Sequence, residues 1–328
     1  MKGVILDTGS LHPGDLDWSR LQATVDEWQF FPQTLTSQLD ERLAGADIVL
    51  SNKVVLDTDI LSRHKHVKLI VVLATGTNNV DLDAAKRLGI RVCNNVGYAT
   101  TSLVEHSLAL MLALARNIPA YQQAVRGGEW QKSPQFCLLE PPIQQLSGAQ
   151  LGIIGAGASG RGLATIARAM GMSTVALHSS RNYSPNEPEL PRLSMAELLA
   201  SSDVISVHCP LTTQTRGLIG EYELAAMKPT ALLINTSRGG IVSESALHAA
   251  LSKTQIAGAA LDVLSEEPPV NGNRLIELHH PNLIITPHNA WGSQRARQSL
   301  IDQSAEIIAA FKRGKLINCV NLANEDQQ

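Results

Sequence analysis

Residues 151–160 read LGIIGAGASG, and this stretch decides the fold. Leu151–Ile154 has the apolar, branched side chains of a buried strand. Directly after it stand three glycines in the spacing GxGxxG: Gly155, Gly157 and Gly160. In a strand–turn–helix unit the first glycine permits a tight turn, the second lets the backbone approach a pyrophosphate, and the third lets the helix pack closely on the strand. The stretch therefore predicts a dinucleotide-binding βαβ unit.

The segment after the glycines has the periodicity of a helix with one apolar face, since apolar side chains recur at i, i+3, i+4 and i+7: Leu163, Ile166, Ala167 and Met170. The N-terminus of such a helix presents unpaired N–H groups and positive partial charge to phosphates. A GxGxxG also arises by chance in glycine-containing loops, so the strand before it and the helix after it carry the interpretation.

Short apolar runs alternate with helical patterns from end to end. The expected strands are Val4–Leu6, Ile48–Leu50, Leu69–Leu73, Ile90–Cys93, Leu151–Ile154, Thr174–Leu177, Val204–His208, Leu232–Asn235, Ala257–Asp262 and Leu283–Thr286. This alternation predicts parallel sheets with helices on both faces. We expect two doubly wound α/β domains, the second starting near residue 98.

Residues 102–115 read SLVEHSLALMLALA, which is apolar almost all round. This pattern predicts a helix that is buried or lies in a subunit interface. Ser102 and Glu105 have the spacing of a capping box at its N-terminus.

Composition excludes several classes of protein. The 328 residues fit two domains, and 44% hydrophobic residues allow a sizeable core. A net charge of −3 and only 4% aromatic residues argue against nucleic-acid binding. Leu108–Ala115 is far shorter than the roughly 20 residues that span a bilayer. The four cysteines lie far apart and the N-terminus has no secretory pattern, so we expect a cytoplasmic protein without membrane contact.

The tip of the strand after the glycine loop bears on cofactor choice. An acid there would bond the ribose 2′-OH of NAD, whereas this chain has His178, Ser179, Ser180 and Arg181. Hydroxyls and a guanidinium suit a 2′-phosphate, so we expect NAD(P) with NADPH preferred. The alternative is that Arg181 is a solvated loop residue.

Three chemically active side chains follow expected strands: Arg238, Glu267 and His288. Ligands of open α/β sheets bind beyond the carboxyl ends of strands, so the three could converge beside a nicotinamide. An imidazolium would donate the proton that carbonyl reduction needs, a carboxylate beside it would favour the protonated form, and a guanidinium would hold a substrate carboxylate. Each residue alone also fits a structural role in a loop, and it is their common placement that favours catalysis.

With these residues in view, the chain resembles the D-isomer-specific 2-hydroxyacid dehydrogenases. The resemblance covers essentially the whole length and rests on the glycine loop and four further motifs: His208-Cys209-Pro210-Leu211-Thr212, Asn235-Thr236-Ser237-Arg238-Gly239-Gly240, Leu261-Asp262-Val263 with Glu266-Glu267-Pro268, and Thr286-Pro287-His288. Ser51-Asn52-Lys53-Val54 and Asn289-Ala290-Trp291 are most similar to the glycerate dehydrogenase (hydroxypyruvate reductase) branch. The departure is His178, where many members carry Asp.

The resemblance implies an architecture and a set of site residues. A Rossmann cofactor domain, 98–291, would be inserted into a flavodoxin-like substrate domain formed by 1–97 and 292–328, with the active site in the cleft. The catalytic residues would be Arg238, Glu267 and His288, and Arg238 would also bind substrate with Lys53, Thr75 and Gly76. Lys53 could equally be a surface lysine. Besides the glycines and the strand tip, the implied cofactor-binding residues are Thr101, Ala158, Ser159, Cys209, Pro210, Thr236, Ser237, Arg238, Asp262 and His288.

Two functions of different classes follow. The first is reversible hydride transfer between NAD(P)H and a small 2-ketoacid such as hydroxypyruvate or glyoxylate, with the helix from Ser102 mediating a homodimer and no catalytic metal. The second is a dinucleotide-sensing, corepressor-like interaction protein of the same fold.

Overall fold

The computed structural model describes residues 1–179 and 190–322. The chain divides into two compact units, one formed by Met1–Ala99 with Gly292–Gln328 and the other by Thr100–Trp291. Each unit is built on its own parallel sheet with helices around it. The prediction of two doubly wound α/β domains is therefore confirmed.

The first unit contains a five-stranded sheet in the order β2-β1-β3-β4-β5, every pair of which is parallel. This is the flavodoxin-like order. Its strands are β1 (Lys2–Ile5), β2 (Glu27–Phe30), β3 (Ile48–Ser51), β4 (Leu69–Val72) and β5 (Arg91–Asn94). Its helices are α1 (Ser19–Gln22), α2 (Leu39–Leu43), α3 (Thr58–Arg63), α4 (Leu82–Arg87) and α12 (Gln294–Lys312), with 3-10 turns at Thr8–Leu11, Pro13–Asp15 and Thr36–Gln38.

The second unit contains a seven-stranded sheet in the order β12-β11-β10-β9-β6-β7-β8. The order reverses at β6, as in a Rossmann fold, and the glycine loop follows that strand. The strands are β6 (Gln150–Ile154), β7 (Ser173–Leu177), β8 (Arg192–Leu193), β9 (Val204–Val207), β10 (Leu232–Asn235), β11 (Gly258–Leu261) and β12 (Leu283–Ile285). The helices are α5 (Thr100–Ala115), α6 (Ile118–Arg126), α7 (Glu129–Lys132), α8 (Ala158–Ala169), α9 (Met195–Ser201), α10 (Glu221–Ala226) and α11 (Glu244–Ser252).

Two strands escaped the sequence analysis, β2 and β8. Both lie at an edge of their sheet, and neither has a fully buried residue. Such strands lack the continuous apolar run by which the buried parallel strands were found.

Successive residues of the central strands face the two cores of the second unit. Leu232 and Ile234 of β10 pack in one core with Met111 and Leu114 of α5, while Leu233 between them packs in the core on the other face. This alternation explains why buried parallel strands read as unbroken apolar runs.

Helix α5 packs against α8 and strands β10 and β11. This agrees with the first of the two expectations for this segment, a buried helix. The predicted capping box is wrong, because α5 begins at Thr100 and places Ser102 inside its first turn. The Ser102 hydroxyl instead donates to the Ala290 carbonyl at 2.7 Å. Ser102 therefore connects the start of α5 to the segment that follows His288.

Candidate active site

The glycine loop after β6 is shaped by close approaches to the backbone. Gly155 has φ of +99°, and a Cβ there would lie 2.5 Å from the amide nitrogen of Cys209. A Cβ on Gly160 would lie 2.4 Å from the Gly155 carbonyl oxygen. Gly157 differs from these two glycines. A Cβ added there would have no atom of the described residues within 4 Å, its chain neighbours aside.

The N-terminus of α8 opens onto that space. Gly157 is its N-cap and offers no side-chain cap to the first N–H groups, and both Gly157 and Ala158 are exposed. Free N–H groups at a helix N-terminus bind phosphate, and the lack of a Cβ on Gly157 lets a ligand approach the backbone. The loop and α8 therefore fit the pyrophosphate of a dinucleotide.

The loop after β9 lies beside the glycine loop. The amide of His208 donates to the Ile154 carbonyl at 2.7 Å, and its Nε2 lies 2.8 Å from the Ser206 hydroxyl. Burial lowers the pKa of His208 to about 4 and raises the pKa of the Cys209 thiol. His208 is therefore neutral at physiological pH.

This burial predicts a dependence of stability on pH. The unfolded chain binds a proton to His208 below about pH 6.5 and the native chain only below about 4, so His208 destabilises the native state as pH falls between these values. The full effect is at most about 3 kcal/mol, less where water reaches the ring. His208→Asn should therefore lose less unfolding free energy between pH 7 and pH 4 in urea titrations than the wild type. Equal losses would contradict the burial of a neutral imidazole.

The remaining residues predicted to bind cofactor lie in the loops after β9, β10, β11 and β12, at the start of α5 and, for Ser159, in the first turn of α8. The Ser237 hydroxyl donates to the Cys209 carbonyl, which joins two of these loops. Thr236 is buried, with its hydroxyl 2.9 Å from that of Ser107. Thr101 and Pro210 are exposed and Ser159 is half-buried. Their roles toward a cofactor stay predictions.

The tip of β7 carries the residues expected to select between cofactors. His178 and Ser179 are exposed, and Ser180 and Arg181 lie outside the described residues. The guanidinium of Arg192 donates to the Leu177 carbonyl at 2.9 Å. The sequence analysis missed Arg192 because it belongs to the unrecognised edge strand β8.

His288 and Glu267 lie in contact at neighbouring strand ends. The imidazole Nδ1 is 2.6 Å from a carboxylate oxygen of Glu267, whose other oxygen accepts from the amide of Leu264 at 2.8 Å. The side chains of His288 and Glu267 are 27% and 31% exposed. The pair is therefore fixed by hydrogen bonds and still accessible to a ligand. His288 has φ of +53°, a conformation in which histidine is among the enriched non-glycine residues. The expected pairing of these two side chains is present.

The buried side chain of Asp262 anchors the loop that carries His288 through hydrogen bonds. It is 2% exposed, and its carboxylate accepts from the amides of Asn289 at 3.0 Å and Ala290 at 2.9 Å and from the Thr286 hydroxyl at 2.5 Å. His106 of α5 joins the network, with Nε2 3.1 Å from that hydroxyl. The observed contacts make Asp262 a positioning residue, and its contact with a cofactor stays a prediction.

Arg238 lies in the loop after β10, with its carbonyl bonded to the Asn235 side-chain amide at 3.0 Å. The next residue is Gly239, where a Cβ would stand only 1.7 Å from the Leu264 carbonyl oxygen. The Arg238 loop therefore packs directly on the loop that leads to Glu267. The sequence analysis used Gly239 only as part of a family motif, since nothing local indicates this close approach.

The predicted substrate residues of the first unit lie in two anchored loops. Asp7, which is 6% exposed, accepts from the backbone amides of residues 52, 53 and 54, and so fixes the loop that carries Lys53. Thr75 is exposed, and its carbonyl accepts from the Asn94 side-chain amide at 2.6 Å. Gly76 beside it is half-buried. The sequence analysis missed Asp7 and Asn94.

Within residues 1–179 and 190–322, no three His, Cys, Asp or Glu side chains are grouped so that they could hold a metal ion. A search of the same residues also found no helix with the length and apolar character needed to cross a membrane.

The family model for the D-isomer specific 2-hydroxyacid dehydrogenase NAD binding domain matches residues 108–290, more than half of the chain. The chain belongs to this family. The 2-hydroxyacid dehydrogenase resemblance noted from the sequence is thus confirmed, and the cofactor is a nicotinamide nucleotide.

Similar proteins agree with this assignment. The dehydrogenase is 44% identical to a glycerate dehydrogenase of Methylorubrum extorquens, covering 93% of this chain and 97% of that one. It is 36% identical to a hydroxypyruvate reductase of Blautia hydrogenotrophica, covering 98% and 100%. A D-lactate dehydrogenase of Aquifex aeolicus, solved with NAD and lactic acid, superposes with a TM-score of 0.84 at 27% identity, covering 99% and 100%. The protein is an oxidoreductase of D-2-hydroxyacids, and the corepressor-like alternative is not favoured.

Proposed function

We propose that this dehydrogenase interconverts a small 2-ketoacid, hydroxypyruvate or glyoxylate, with its 2-hydroxyacid. Two relatives carry the names glycerate dehydrogenase and hydroxypyruvate reductase, and they align over nearly their whole length. The observation that carries the proposal is the 2.6 Å contact between His288 and Glu267 at the strand ends of the nucleotide-binding unit. That pair is suited to giving one proton to a carbonyl oxygen while hydride arrives at the carbon.

His288 is the proton donor in this proposal. Its Nδ1 is bonded to Glu267, which leaves Nε2 as the nitrogen that faces a substrate oxygen. The carboxylate fixes the ring orientation and stabilises the imidazolium before proton transfer. The nicotinamide supplies the hydride, so the protein's task is to place the carbonyl and its proton source. In the oxidative direction, the neutral imidazole takes the hydroxyl proton back.

Arg238 holds the substrate carboxylate and polarises the carbonyl in this proposal. A guanidinium binds carboxylate through two parallel hydrogen bonds, which sets both distance and orientation. Lys53, Thr75 and Gly76 of the first unit are further substrate-binding residues in this proposal, through charge and backbone N–H groups. Asp7 and Asn94 hold the loops that carry them.

We also propose that the cofactor is NADPH in preference to NADH. No acid stands at the tip of β7, where a carboxylate would repel a 2′-phosphate, and Arg181 follows two residues after Ser179. Arg192 adds a second guanidinium on the neighbouring strand.

A panel of ketoacids assayed with both cofactors tests these proposals. We expect absorbance loss at 340 nm with hydroxypyruvate and glyoxylate, and a higher kcat/KM for NADPH than for NADH with either substrate. Turnover of neither ketoacid would contradict the substrate assignment. A strong preference for NADH would contradict only the cofactor assignment.

We propose further that the enzyme is a homodimer, with an interface that includes the helix from Ser102 and the segment after it. Leu103, Leu108 and Leu112 of that helix are only half-buried within their own unit. Large apolar side chains are also exposed in the segment after it: Ile118, Val125, Trp130, Phe136, Leu139 and Ile143. Exposed apolar patches of this kind mark protein interfaces. Sedimentation equilibrium should give twice the 35.2 kDa chain mass, and Phe136→Glu with Leu139→Glu should reduce it. A monomeric wild type would rule the dimer out.

A further inference from the structure

Residues 318–321 extend the sheet of the first unit beyond its edge strand β5. The amide of Asn94 donates to the Asn318 carbonyl at 3.1 Å, and that of Val320 donates to the Val92 carbonyl at 2.8 Å. The side chain of Asn321 bonds the amide of Val92 and the Ile90 carbonyl, at 3.0 Å and 2.8 Å. The segment that follows α12 is thereby held antiparallel to β5.

This pairing places Cys93 directly opposite Cys319. The backbone bonds flank the two cysteines on either side, so they form a non-hydrogen-bonded pair. Facing Cα atoms in such a pair stand about 4.5 Å apart, which is within the 4.4–6.8 Å range found in disulfides. The two cysteines are remote in sequence and belong to no part of the active site.

The surroundings of the two thiols differ, and the Cys319 thiol donates to the Asn321 side-chain oxygen at 3.4 Å. Cys93 is fully buried, whereas Cys319 is partly exposed. The neighbouring Cys93 thiol lowers the pKa of Cys319 to about 6, aided by the Asn321 backbone and by Arg91, and the Cys319 thiol together with burial raises the pKa of Cys93. Cys319 is thus the more accessible and the more acidic thiol of the pair, and Cys93 lies buried opposite it.

We propose that Cys93 and Cys319 are a reversible oxidation site that closes to a disulfide in the presence of a peroxide. The Cys319 thiolate attacks one oxygen of hydrogen peroxide, which breaks the O–O bond and yields a sulfenic acid and water once hydroxide is protonated. Cys93 sulfur then attacks the sulfenic sulfur, and the S–O bond breaks to release a second water. Two thiols are oxidised by two electrons and one peroxide is reduced to two waters. A dithiol reductant reverses the bond.

The test is peptide mapping of the full-length protein after peroxide treatment. Free thiols are alkylated, and the digest is compared with and without dithiothreitol. We expect a peptide that joins Cys93 to Cys319, about 2 Da lighter than the sum of its reduced halves and lost on reduction. Recovery of both thiols in alkylated form, or of Cys319 as a sulfenic or sulfinic acid beside an alkylated Cys93, would overturn the proposal.

Variants separate the two steps. Cys93→Ala should leave Cys319 as a sulfenic acid that dimedone traps, with no cross-linked peptide. Cys137→Ala is the matched control, because Cys137 is exposed and lies outside the pair, and it should form the cross-link as the wild type does. A cross-link that persists in Cys93→Ala, or one that depends on Cys137, would assign Cys319 a different partner and defeat the proposal.

The dependence on pH gives an independent readout. With its pKa near 6, Cys319 should react with peroxide at nearly the same rate at pH 7 and pH 9. An ordinary exposed thiol gains roughly twentyfold in thiolate over that range. In Cys93→Ala the Cys319 rate should recover much of that rise, since the thiol that most lowers the pKa of Cys319 is gone. A steep rise in the wild type would contradict the paired thiols.

Discussion

Replacement of His288 by asparagine is expected to lower kcat by about 10²- to 10⁴-fold, the usual contribution of a positioned proton donor. That loss corresponds to about 3–5 kcal/mol of transition-state stabilisation. Asparagine is the suitable substitute because residue 288 has φ of +53°, which asparagine tolerates better than most residues. Stopped-flow or steady-state kinetics with hydroxypyruvate measures kcat, and fluorescence titration measures the dinucleotide Kd, which should stay nearly unchanged.

The matched control is His279→Asn. His279 also has positive φ, 49°, and it is exposed, with its Nδ1 bonded to the Glu277 carbonyl away from the His288–Glu267 pair. It should leave kcat unchanged. If His288→Asn retained wild-type kcat, the proton would have to come from elsewhere.

Arg238→Ala gives the complementary pattern. The proposed guanidinium holds the substrate carboxylate in the ground state and also polarises the carbonyl in the transition state, so its loss should raise KM and lower kcat together. The two variants therefore distinguish a proton donor from a substrate-binding residue.

Replacement of Gly239 by alanine should reduce enzyme activity nearly as much, although glycine has no side chain that could take part in the reaction. The added Cβ would stand 1.7 Å from the Leu264 carbonyl oxygen and 2.1 Å from its carbonyl carbon, which is backbone that no side-chain rotation can clear. We expect a loss of about 2–4 kcal/mol in unfolding free energy. A shift of about 1 Å between the Arg238 and Glu267 loops should also reduce kcat/KM about 100-fold.

Urea titration and steady-state kinetics measure the two effects of Gly239→Ala. Gly14→Ala is the matched control, since in the described part of the chain its Cβ would meet nothing within 4 Å, and its φ is not positive. It should alter neither quantity. A Gly239→Ala enzyme with normal stability and activity would mean that the two loops do not pack as described.

Much of the site could be predicted because chemistry-bearing residues follow strands. Arg238, Glu267 and His288 were identified from their positions after apolar runs, and parallel strands bring their carboxyl ends to one edge of a sheet. The contact between His288 and Glu267 agrees with this reasoning. The assignment of catalytic roles to these residues stays a prediction that kinetics must test.

The residues that hold the site in place escaped prediction. Asp262 was expected at the cofactor, and its carboxylate accepts from the loop that carries His288. Ser102 was expected to cap a helix, and it donates to Ala290. Each of these contacts joins segments far apart in the chain, where a local pattern carries no information about the partner.

By itself the sequence determined the two parallel α/β domains, the glycine loop and the family, because strand runs, helical periodicity and GxGxxG spacing are local consequences of backbone geometry. The tertiary structure alone decided that Gly239 meets Leu264, that Asp262 anchors the His288 loop, and that Cys93 faces Cys319. These depend on the order of strands in each sheet and on the register of paired segments. Strand order and register are fixed by packing over the whole domain. A short window of residues therefore carries no information about either.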